Sequence, residues 1–229
     1  PLCGQYLGDL GAEVIKVEPV TGGDDTRAWS PQRLCQSATF LAVNHNKRSL
    51  AVDLKSEEGR EIVHHLAARC DVVIQGFGSG TAGRLGVDYP TLKALNPKLV
   101  YCEISGFGRS GPLAERPGYD VMLQAFSGML ASMGEPEGGF ARASFSPVDL
   151  GTGMHATSGI LAALLNRAKT GEGAYLEISL LDTALAFMTY HAQIYWQSGQ
   201  APKRMGTGHP SLAPYQAFAA SDGALMIGV

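Results

Sequence analysis

Residues 49–75, SLAVDLKSEEGREIVHHLAARCDVVIQ, decide the fold class of this chain. The apolar run at residues 49–54 predicts a strand, residues 56–69 predict a helix, and residues 71–75 predict a second strand. Ser56 is a typical N-cap residue, and the two glutamates behind it place negative charge at the positive end of the helix dipole. A strand, a helix and a strand in this order predict a parallel β-sheet with helices packed on it.

The alternation of strands and helices continues on both sides of this unit. Further strands are predicted at residues 12–17, 99–104 and 174–180, and further helices at residues 89–95, 119–133, 150–169 and 181–198. The TGEG run after residue 169 predicts a C-cap turn. The whole pattern predicts an α/β fold, a Rossmann-like open parallel sheet with helices on both faces.

The predicted domain organisation is a partial large domain followed by the start of a smaller one. The large domain covers residues 1–199, and residues 200–229 form a linker and the beginning of a truncated small domain. The boundary lies here because residues 199–211 are rich in glycine, proline and basic residues. The chain starts at Pro1 inside a helical pattern and stops at Val229 inside the return strand of a predicted hairpin. We therefore expect a strand before Pro1 and more protein after Val229.

Composition and charge exclude several classes of protein. With 229 residues, 45% of them hydrophobic, the chain is long enough to bury a core. The balance of 18 Lys and Arg against 21 Asp and Glu gives a net charge of −3, which argues against nucleic acid as a partner. The longest apolar helical stretch, residues 159–165, is about a third of the roughly 20 residues that span a bilayer, so no membrane segment is predicted.

The four cysteines predict free thiols rather than a disulfide framework or a metal site. They are Cys3, Cys35, Cys70 and Cys102, and they form no C-x-x-C pair. Neither the cysteines nor the six histidines show metal-ligand spacing, so no metal is expected. Free thiols indicate a reducing compartment: the cytoplasm, or an organelle if the source is a eukaryote.

Residues 78–83, GSGTAG, match the G-x-G-x-x-G pattern and follow a predicted strand. A dinucleotide site would need a continuous helix next, because the helix N-terminus receives the pyrophosphate. Gly83, Gly86 and Pro90 interrupt that helix, which argues against a nicotinamide or flavin site. Two interpretations stay open: a flexible loop, or a loop that faces a different phosphate-bearing ligand, to which Arg84 would donate charge-assisted hydrogen bonds.

Asp149 lies at the predicted start of a helix, in the run SPVDLGTG at residues 146–153. An aspartate at such a place is more often an N-cap than a catalyst. Gly151 and Gly153, however, are poor helix formers where a cap would favour good ones. Small residues beside a carboxylate leave room for a ligand, which favours a functional role.

Cations also lie near the carboxyl ends of the predicted strands, where open α/β sheets bind ligands. Arg27 belongs to the polar loop GGDDTR at residues 22–27, and Lys55 follows the next strand. In an acidic chain this placement suggests an anionic ligand. The alternative is a solvated turn with ordinary surface lysines.

A series of short blocks, taken together, resembles the family III CoA-transferases, the CaiB/BaiF family. The blocks are GDLGAEVIKVEP (8–19), GDDTR (23–27), NKRSL (46–50), GFG (76–78), RLG (84–86), SGFG (105–108), PGYD (117–120) and VDLGTG (148–153). They occur in the family's order and spacing over essentially the whole chain. The resemblance implies the CaiB/BaiF CoA-transferase fold and an acyl-CoA:carboxylate CoA-transferase that takes coenzyme A as an acyl-CoA substrate.

The resemblance also implies that Asp149 is the catalytic residue. In the family's mechanism the carboxylate attacks the donor thioester to give an aspartyl anhydride, CoA returns to form an aspartyl-CoA thioester, and the acceptor acid attacks in turn. An aspartate with a pKa of about 3.9 is ionised at neutral pH and needs no general base. The thiolate that leaves is far more basic, so N–H donors must stabilise the oxyanion. The family uses a glycine-rich loop for this, which we expect beyond Val229.

The family's CoA-binding positions map onto residues at the ends of predicted strands. They are Arg27, Val52, Leu54, Lys55, Gly76, Phe77, Gly78 and Arg84, with Tyr119 near the thioester. One further position, a lysine in some members, is Pro117 or Gly118 here. Members of the family form interlocked homodimers, so the resemblance implies a homodimer with an acyl-CoA and a carboxylic acid as substrates.

Two alternative functions share these ligand loops. One is an α-methylacyl-CoA racemase, which uses a histidine where this chain has Tyr119 and needs a second acid/base group beside Asp149. The other is an inactive paralogue that binds CoA. For a transferase, residues 209–216, HPSLAPYQ, resemble members that act on short dicarboxylic acids, which suggests that class of substrate.

Overall fold

The computed structural model describes all residues of the chain, 1–229. In chain order the elements are α1 (Leu2–Asp9), β1 (Val14–Glu18), β2 (Gln32–Arg33), β3 (Gln36–Ser37), α2 (Ala38–Asn44), β4 (Lys47–Ala51), α3 (Glu57–Ala67), β5 (Val72–Gln75), α4 (Thr81–Arg84), α5 (Tyr89–Leu95), β6 (Val100–Ser105), α6 (Asp120–Phe126), α7 (Met129–Ser132), α8 (Pro147–Thr170), β7 (Ala174–Ser179), α9 (Leu180–Phe187), α10 (Thr189–Ser198), β8 (Gln216–Ala220) and β9 (Gly223–Ile227). A single 3-10 turn, Asp25–Ala28, follows β1. No helix combines the length and apolar character needed to cross a membrane.

The strands confirm the predicted α/β fold with parallel pairing. Strands β5, β6 and β7 form a three-stranded parallel sheet in that order, and β1 pairs in parallel with β4. The two parallel groups are separate in their hydrogen bonding, whereas the sequence predicted one open sheet. Near the C-terminal end, β8 and β9 form the expected antiparallel hairpin.

The decisive unit at residues 49–75 folds as a strand, a helix and a strand, with one boundary shifted. The first strand was predicted at residues 49–54 but is β4, Lys47–Ala51. The backbone N–H of Val52 still bonds to the carbonyl of Glu18 at 2.9 Å, after which the chain turns. The predicted N-cap is confirmed, because Ser56 Oγ accepts a hydrogen bond from the Gly59 N–H at 3.0 Å.

Helices cover both faces of the β5–β6–β7 sheet. Neighbouring residues of β6 point to opposite sides, so they pack against different helices. Val100 and Cys102 pack into a core with α1 and α8. Tyr101 packs on the other side into a core formed with Ala67 of α3 and Leu92 of α5. A third core joins α6, α7, α8 and α9. The α8 helix therefore contacts both the sheet and the helical cluster, so its N-terminal end is held on several sides.

Two long helices predicted from the sequence are each divided in the structure. The helix predicted at residues 119–133 is α6 and α7, separated by Gly128 in the left-handed region with φ of 85°. The helix predicted at residues 181–198 is α9 and α10, which meet at Met188. The C-cap turn after α8 is confirmed, since Gly171 adopts a left-handed conformation. The apolar periodicity that predicted each long helix continues across the break and does not show it.

Candidate active site

Asp149 lies in the first turn of α8, two residues after the helix begins at Pro147. The N-cap position is Ser146, whose side chain makes no capping hydrogen bond. The N-cap interpretation of Asp149 is therefore wrong, and no protein group donates a hydrogen bond to its carboxylate. Asp149 thus lies at the positive end of the dipole of a 24-residue helix, and its oxygens do not cap the backbone N–H groups of that helix.

The glycines after Asp149 serve helix packing. A Cβ on Gly151 would lie 2.9 Å from Thr183 Cγ2 and closer still to the ring of Phe187, both on α9. A Cβ on Gly153 would lie 2.9 Å from the Cβ of Leu2 on α1. The suggestion that these glycines leave room for a ligand is therefore wrong, because neighbouring helices occupy that space.

Asp120 supplies the helix cap that Ser146 does not. Its carboxylate accepts hydrogen bonds from the backbone N–H groups of Val148 at 2.8 Å and Asp149 at 3.1 Å. The side chain of Gln124 donates a further hydrogen bond to the other oxygen of Asp120, and its own carbonyl oxygen accepts from the Ala143 N–H at 3.4 Å. Asp120 is 6% exposed, so this network is buried. It joins the start of α6, the segment before α8 and the first turn of α8.

The electrostatic setting raises the pKa of Asp149 to about 6. The main cause is the protein that surrounds the carboxyl group, and the negative charge of Asp120 acts in the same direction. The residue as a whole remains accessible to solvent. Asp149 is thus a reachable carboxylate with little stabilisation of its charge, in contrast to an ion-paired surface group.

Tyr119, the predicted neighbour of the thioester, directly precedes α6 and is 70% exposed. Its position depends on a close backbone crossing, because Gly118 lies against Gly106 with no space for a Cβ at either residue. The Gly106 carbonyl in turn accepts a hydrogen bond from the Leu181 N–H at 3.0 Å. The loop after β6 is therefore fastened to α9 and carries Tyr119 to the α6 end of the Asp120 network.

Arg109 fixes the loop that follows β5, and sequence reasoning assigned it no role. Its guanidinium donates to Glu103 and to the carbonyl of Phe77, both at 2.5 Å. Its backbone N–H donates to Glu177, also at 2.5 Å. The Phe77 N–H bonds to the Gln75 side chain at 2.6 Å. The predicted CoA loop, Gly76, Phe77 and Gly78, is thus connected to the loop after β6.

Leu54 and Phe77 come together as predicted neighbours of one site. Both pack against the same core, which includes Ala82 of α4. Lys55 and Arg84 are exposed next to them. Arg84 Nη2 donates to Thr81 Oγ1 at 2.6 Å, which holds the guanidinium over the 78–81 loop. These contacts place Leu54 and Phe77 on one core, and Lys55 and Arg84 adjoin its members Leu54 and Leu85 in the chain.

The short α4 helix argues against a dinucleotide site in the GSGTAG loop. It ends after four residues, and the chain continues through Gly86 in a left-handed conformation. No continuous helix follows that could present its N-terminus to a pyrophosphate. The predicted interruption of the helix after this loop is confirmed.

Arg27 is engaged within the protein. Its guanidinium makes two hydrogen bonds of 2.8 Å to Glu18, the last residue of β1, and its Cζ lies 3.9 Å from the ring centre of Phe40. Ser49 Oγ at 2.8 Å and the Asp24 N–H at 2.9 Å also donate to Glu18. These bonds, led by those from Arg27, lower the pKa of Glu18 to about 2. Arg27 thus anchors its loop to β1, and three of its five N–H groups, two on Nη1 and one on Nη2, make no hydrogen bond to Glu18.

The predicted residues therefore form three groups. Asp149 and Tyr119 lie at the starts of α8 and α6. Leu54 and Phe77 pack on the core that includes Ala82 of α4, and Lys55, Arg84, Gly76 and Gly78 each adjoin a residue of that core in the chain. Arg27 and Val52 both bond to Glu18, through its side chain and its backbone carbonyl respectively. A cavity of about 540 Å³ lined by residues 31–41 contains none of them. No cluster of His, Cys, Asp and Glu could hold a metal ion.

Comparison with known proteins identifies relatives over the whole chain. The profile of CoA-transferase family III matches residues 1–229. A succinate–glutarate CoA-transferase of Agrobacterium fabrum is 41% identical, over 100% of this chain and 59% of its own length. A succinyl-CoA:glutarate CoA-transferase of Mus musculus is 42% identical, over 100% of this chain and 52% of its own length.

A solved structure shares the fold. The crystal structure of a CaiB/BaiF family protein from Brucella suis superposes with a TM-score of 0.92 at 44% identity, and the match covers 99% of this chain and 61% of that one. The chain thus spans between half and two thirds of the length of the relatives it matches. The match across every element of this chain confirms the resemblance in the sequence: the chain belongs to CoA-transferase family III.

Proposed function

We propose that the protein containing this chain transfers CoA from an acyl-CoA thioester to a free carboxylic acid, with Asp149 as the covalent acceptor. The observation that carries the proposal is the carboxylate of Asp149, which is solvent-accessible, receives no protein hydrogen bond and has a pKa raised to about 6. A structural carboxylate would be expected to have partners. A nucleophile must keep its oxygens free for a reacting carbon.

In the proposed mechanism, each step is an attack on one carbonyl carbon, where one bond forms and one bond breaks. An oxygen of Asp149 attacks the thioester carbon of the donor, a C–O bond forms, and the C–S bond breaks to release CoA thiolate and leave an anhydride. The thiolate then attacks the Asp149 carbonyl, which forms an aspartyl-CoA thioester and releases the donor acid. The acceptor carboxylate attacks this thioester, the C–S bond breaks to release CoA thiolate again, and a second anhydride forms. The CoA thiolate finally attacks the acceptor's acyl carbon, which yields the new acyl-CoA and restores Asp149.

The raised pKa of Asp149 assists the first step. An ordinary aspartate, with a pKa of about 3.9, is a much weaker base than a thiolate, whose conjugate acid has a pKa of about 8.5. With the pKa of Asp149 at about 6, the difference between its pKa and that of the thiol is smaller by roughly 2 units. The carboxyl group is still about 90% ionised at pH 7, because that pH lies one unit above its pKa. The site thus strengthens the nucleophile and keeps most of it in the reactive form.

CoA binding is proposed at the ends of the parallel strands. The exposed cations Lys55 and Arg84 suit its phosphate groups, and Arg84 already lies against the loop at residues 78–81. The side chains of Leu54 and Phe77 offer apolar surface from their shared core. The remaining members of the proposed set are Arg27, Val52, Gly76, Gly78 and Tyr119. Arg109 donates to the Phe77 carbonyl and the Gln75 side chain accepts from the Phe77 N–H, so the Phe77 backbone is held in place before the substrate arrives.

Short dicarboxylic acids are the proposed substrate class. Relatives carry the names succinate–glutarate CoA-transferase, acetyl-CoA:oxalate CoA-transferase and succinyl-CoA:mesaconate CoA-transferase, and they are 41%, 42% and 36% identical to this chain. All of these names include a dicarboxylic acid. The HPSLAPYQ segment had suggested the same class.

We further propose the assembly that the resemblance implied. Residues 1–199 belong to the CoA-binding domain and residues 200–229 to a linker and the start of a smaller domain, in an interlocked homodimer in the cytoplasm or an organelle. The mass of the full-length protein in solution, measured by light scattering, tests the dimer. A monomer that transfers CoA would contradict it.

Peptide mapping of the covalent intermediate tests the function. The full-length protein is incubated with succinyl-CoA and then with hydroxylamine or borohydride, and the peptide around Asp149 is analysed by mass spectrometry. We expect a modification on Asp149 that is absent in Asp149→Ala and present in Asp182→Ala, which removes an aspartate from the first turn of another helix.

Other results point to the alternatives. No modification with a panel of donors, together with deuterium exchange at the acyl α-carbon, would support a racemase. CoA binding without any exchange of label between acyl-CoA and free acid would support an inactive paralogue. Either result would overturn the proposal.

A further inference from the structure

The buried carboxylate of Asp120 belongs to a network that the proposed chemistry does not yet use. Asp120 is in the first turn of α6, but one of its oxygens bonds to a different helix, α8. One oxygen accepts the N–H groups of Val148 and Asp149, and the other accepts the side chain of Gln124. A group that only stabilised its own helix would bond to the N–H groups of α6.

We propose that Asp120 is a positioning residue, which caps α8 from outside the helix and thereby sets the location and the electrostatic environment of the Asp149 carboxylate. The inference rests on the proposed function, because it assigns Asp120 a role in aiming the nucleophile. Asp120 does not contact the substrate in this proposal. It acts through the backbone of the residue that does.

The geometry explains why an external cap is needed. Ser146 occupies the N-cap position of α8 without a side-chain capping bond, and Pro147 contributes no N–H. The first N–H groups that need an acceptor belong to Val148 and Asp149. If Asp149 folded back to satisfy them, its oxygens would not be free to attack a thioester. Asp120 accepts both N–H groups and leaves the Asp149 side chain free.

Gln124 holds Asp120 in this arrangement. It lies one turn further along α6, donates to Asp120 through its amide nitrogen and accepts from the Ala143 N–H through its amide oxygen. Gln124 is 0% exposed. Because the amide uses both ends, the segment before α8 and the start of α8 are fastened to the same helix.

Asp120 is also the negative charge that acts on Asp149. The ionisable groups on the helices packed around the first turns of α8 are Asp120 on α6, Cys3, Tyr6 and Asp9 on α1, His155 on α8 itself and Asp182 on α9. Of these, Asp120 is the group whose charge raises the pKa of Asp149. The Asp182 carboxylate is bonded to Ser179 Oγ, and His155 Nδ1 lies 3.1 Å from Thr183 Oγ1. Removing the Asp120 charge should therefore lower the pKa of Asp149.

Two substitutions of Asp120 separate its hydrogen bonds from its charge. Asp120→Ala removes both, and we expect kcat to fall about 10- to 100-fold because the nucleophile is no longer aimed. Asp120→Asn keeps one oxygen acceptor and removes the charge. In this variant we expect the acid limb of kcat/KM for the acyl-CoA donor to move to lower pH, a change that a purely structural role would not produce.

A compensating variant guards against a simple folding defect. In Asp120→Asn the new amide would face the amide of Gln124, so two donors would meet. Asp120→Asn with Gln124→Glu restores a donor and an acceptor and moves the charge one helical turn away. We expect this double variant to recover the melting temperature of the wild type while its acid limb stays below that of the wild type. Asp182→Asn is the control and should leave the acid limb unchanged.

Three measurements on the full-length protein decide the matter: the pH profile, kcat, and mass mapping of Asp149. An unmoved acid limb in Asp120→Asn, or an unchanged kcat in Asp120→Ala, would overturn the role of Asp120 while labelled Asp149 in the wild type still supported the proposed function. An unlabelled Asp149 in the wild type would instead overturn the proposed function, and the inference with it.

Discussion

Glu18 and Asp149 are two carboxylates at opposite extremes within one chain. Glu18 ends β1 with a side chain that is 2% exposed, and it accepts hydrogen bonds from Arg27, Ser49 and the Asp24 backbone. Asp149 is accessible to solvent and accepts none. The pKa of Glu18 is lowered to about 2, whereas that of Asp149 is raised to about 6.

The difference shows that partners, more than exposure, determine what a carboxylate does here. Hydrogen bonds and an ion pair stabilise the charge of Glu18, so it is committed to the structure. Surrounding protein and a like charge destabilise the charge of Asp149, so it is more basic than an ordinary aspartate. The buried group is the inert one, and the accessible group is the one that we propose to be reactive.

The strongest test of the comparison is to remove the reactive carboxylate. In Asp149→Asn we expect CoA transfer to fall by a factor of about 10⁴ or more, since losing a nucleophile has effects of this size in other enzymes that form covalent intermediates. The rate of CoA exchange between donor and acceptor measures it, with circular dichroism to confirm folding. Transfer within tenfold of the wild type would show that Asp149 is not the covalent acceptor.

Removing the inert carboxylate should affect stability instead. Glu18→Gln leaves Arg27 without its ion pair, and we expect the free energy of unfolding to drop by about 2–3 kcal/mol. Urea denaturation measures the change. Glu13→Gln is the matched control, because the Glu13–Arg48 pair is exposed and should contribute less than about 1 kcal/mol. An equal loss of unfolding free energy in the two variants would show that burial of Glu18 contributes no additional stability.

The pH dependence should separate the two carboxylates. Asp149 must be ionised to attack, so we expect activity to fall about tenfold per unit below pH 6. Glu18 has a depressed pKa, so its contribution to stability is complete above its unfolded value near 4.5 and is lost as the pH falls toward 2. Between pH 6 and pH 5 the enzyme should therefore lose activity without any fall in its melting temperature. A melting temperature that fell together with the activity would contradict this.

The smallest effect is a gain in stability when the reactive charge is removed. Because the folded pKa of Asp149 is raised, the ionised group costs stability, and that cost appears as the pH rises from about 4 to 6. Asp149→Asn should raise the melting temperature at pH 8 by a few degrees, a modest gain because solvent screens an accessible group. At pH 4 the two proteins should melt together. A lower melting temperature at pH 8 would indicate that the helix dipole favours this charge.

Much of the fold could be predicted from local pattern. The strand and helix alternation, the Ser56 cap and the Gly171 turn depend on residues close together in the chain, and the structure has them within a few positions. The division of two long helices at Gly128 and Met188 was missed, since apolar periodicity continues through both breaks.

The candidate site was predictable in its residues but not in their roles. Asp149 stood in a recognisable block, yet Gly151 and Gly153 were interpreted as space for a ligand when they accommodate α9 and α1. Asp120 stood in the PGYD block, which alone could have drawn attention to it. For Arg109, the only signal in the sequence was its place directly after the SGFG block. Its contacts with Glu103 and Phe77 join residues 6 and 32 positions apart.

The sequence by itself determined the order of strands and helices, the absence of strong net charge and the presence of an aspartate at the start of a helix. These properties follow from residue type and short-range spacing. Only the tertiary structure decided that Asp120 caps α8, that Arg27 is bonded to Glu18, and that Asp149 is left without a partner. Hydrogen bonds between residues far apart in the chain, such as the 29 positions from Asp120 to Asp149, exist only after packing brings the elements together. Packing likewise sets the pKa of each carboxylate, and this separates the structural carboxylate of Glu18 from the proposed nucleophile Asp149.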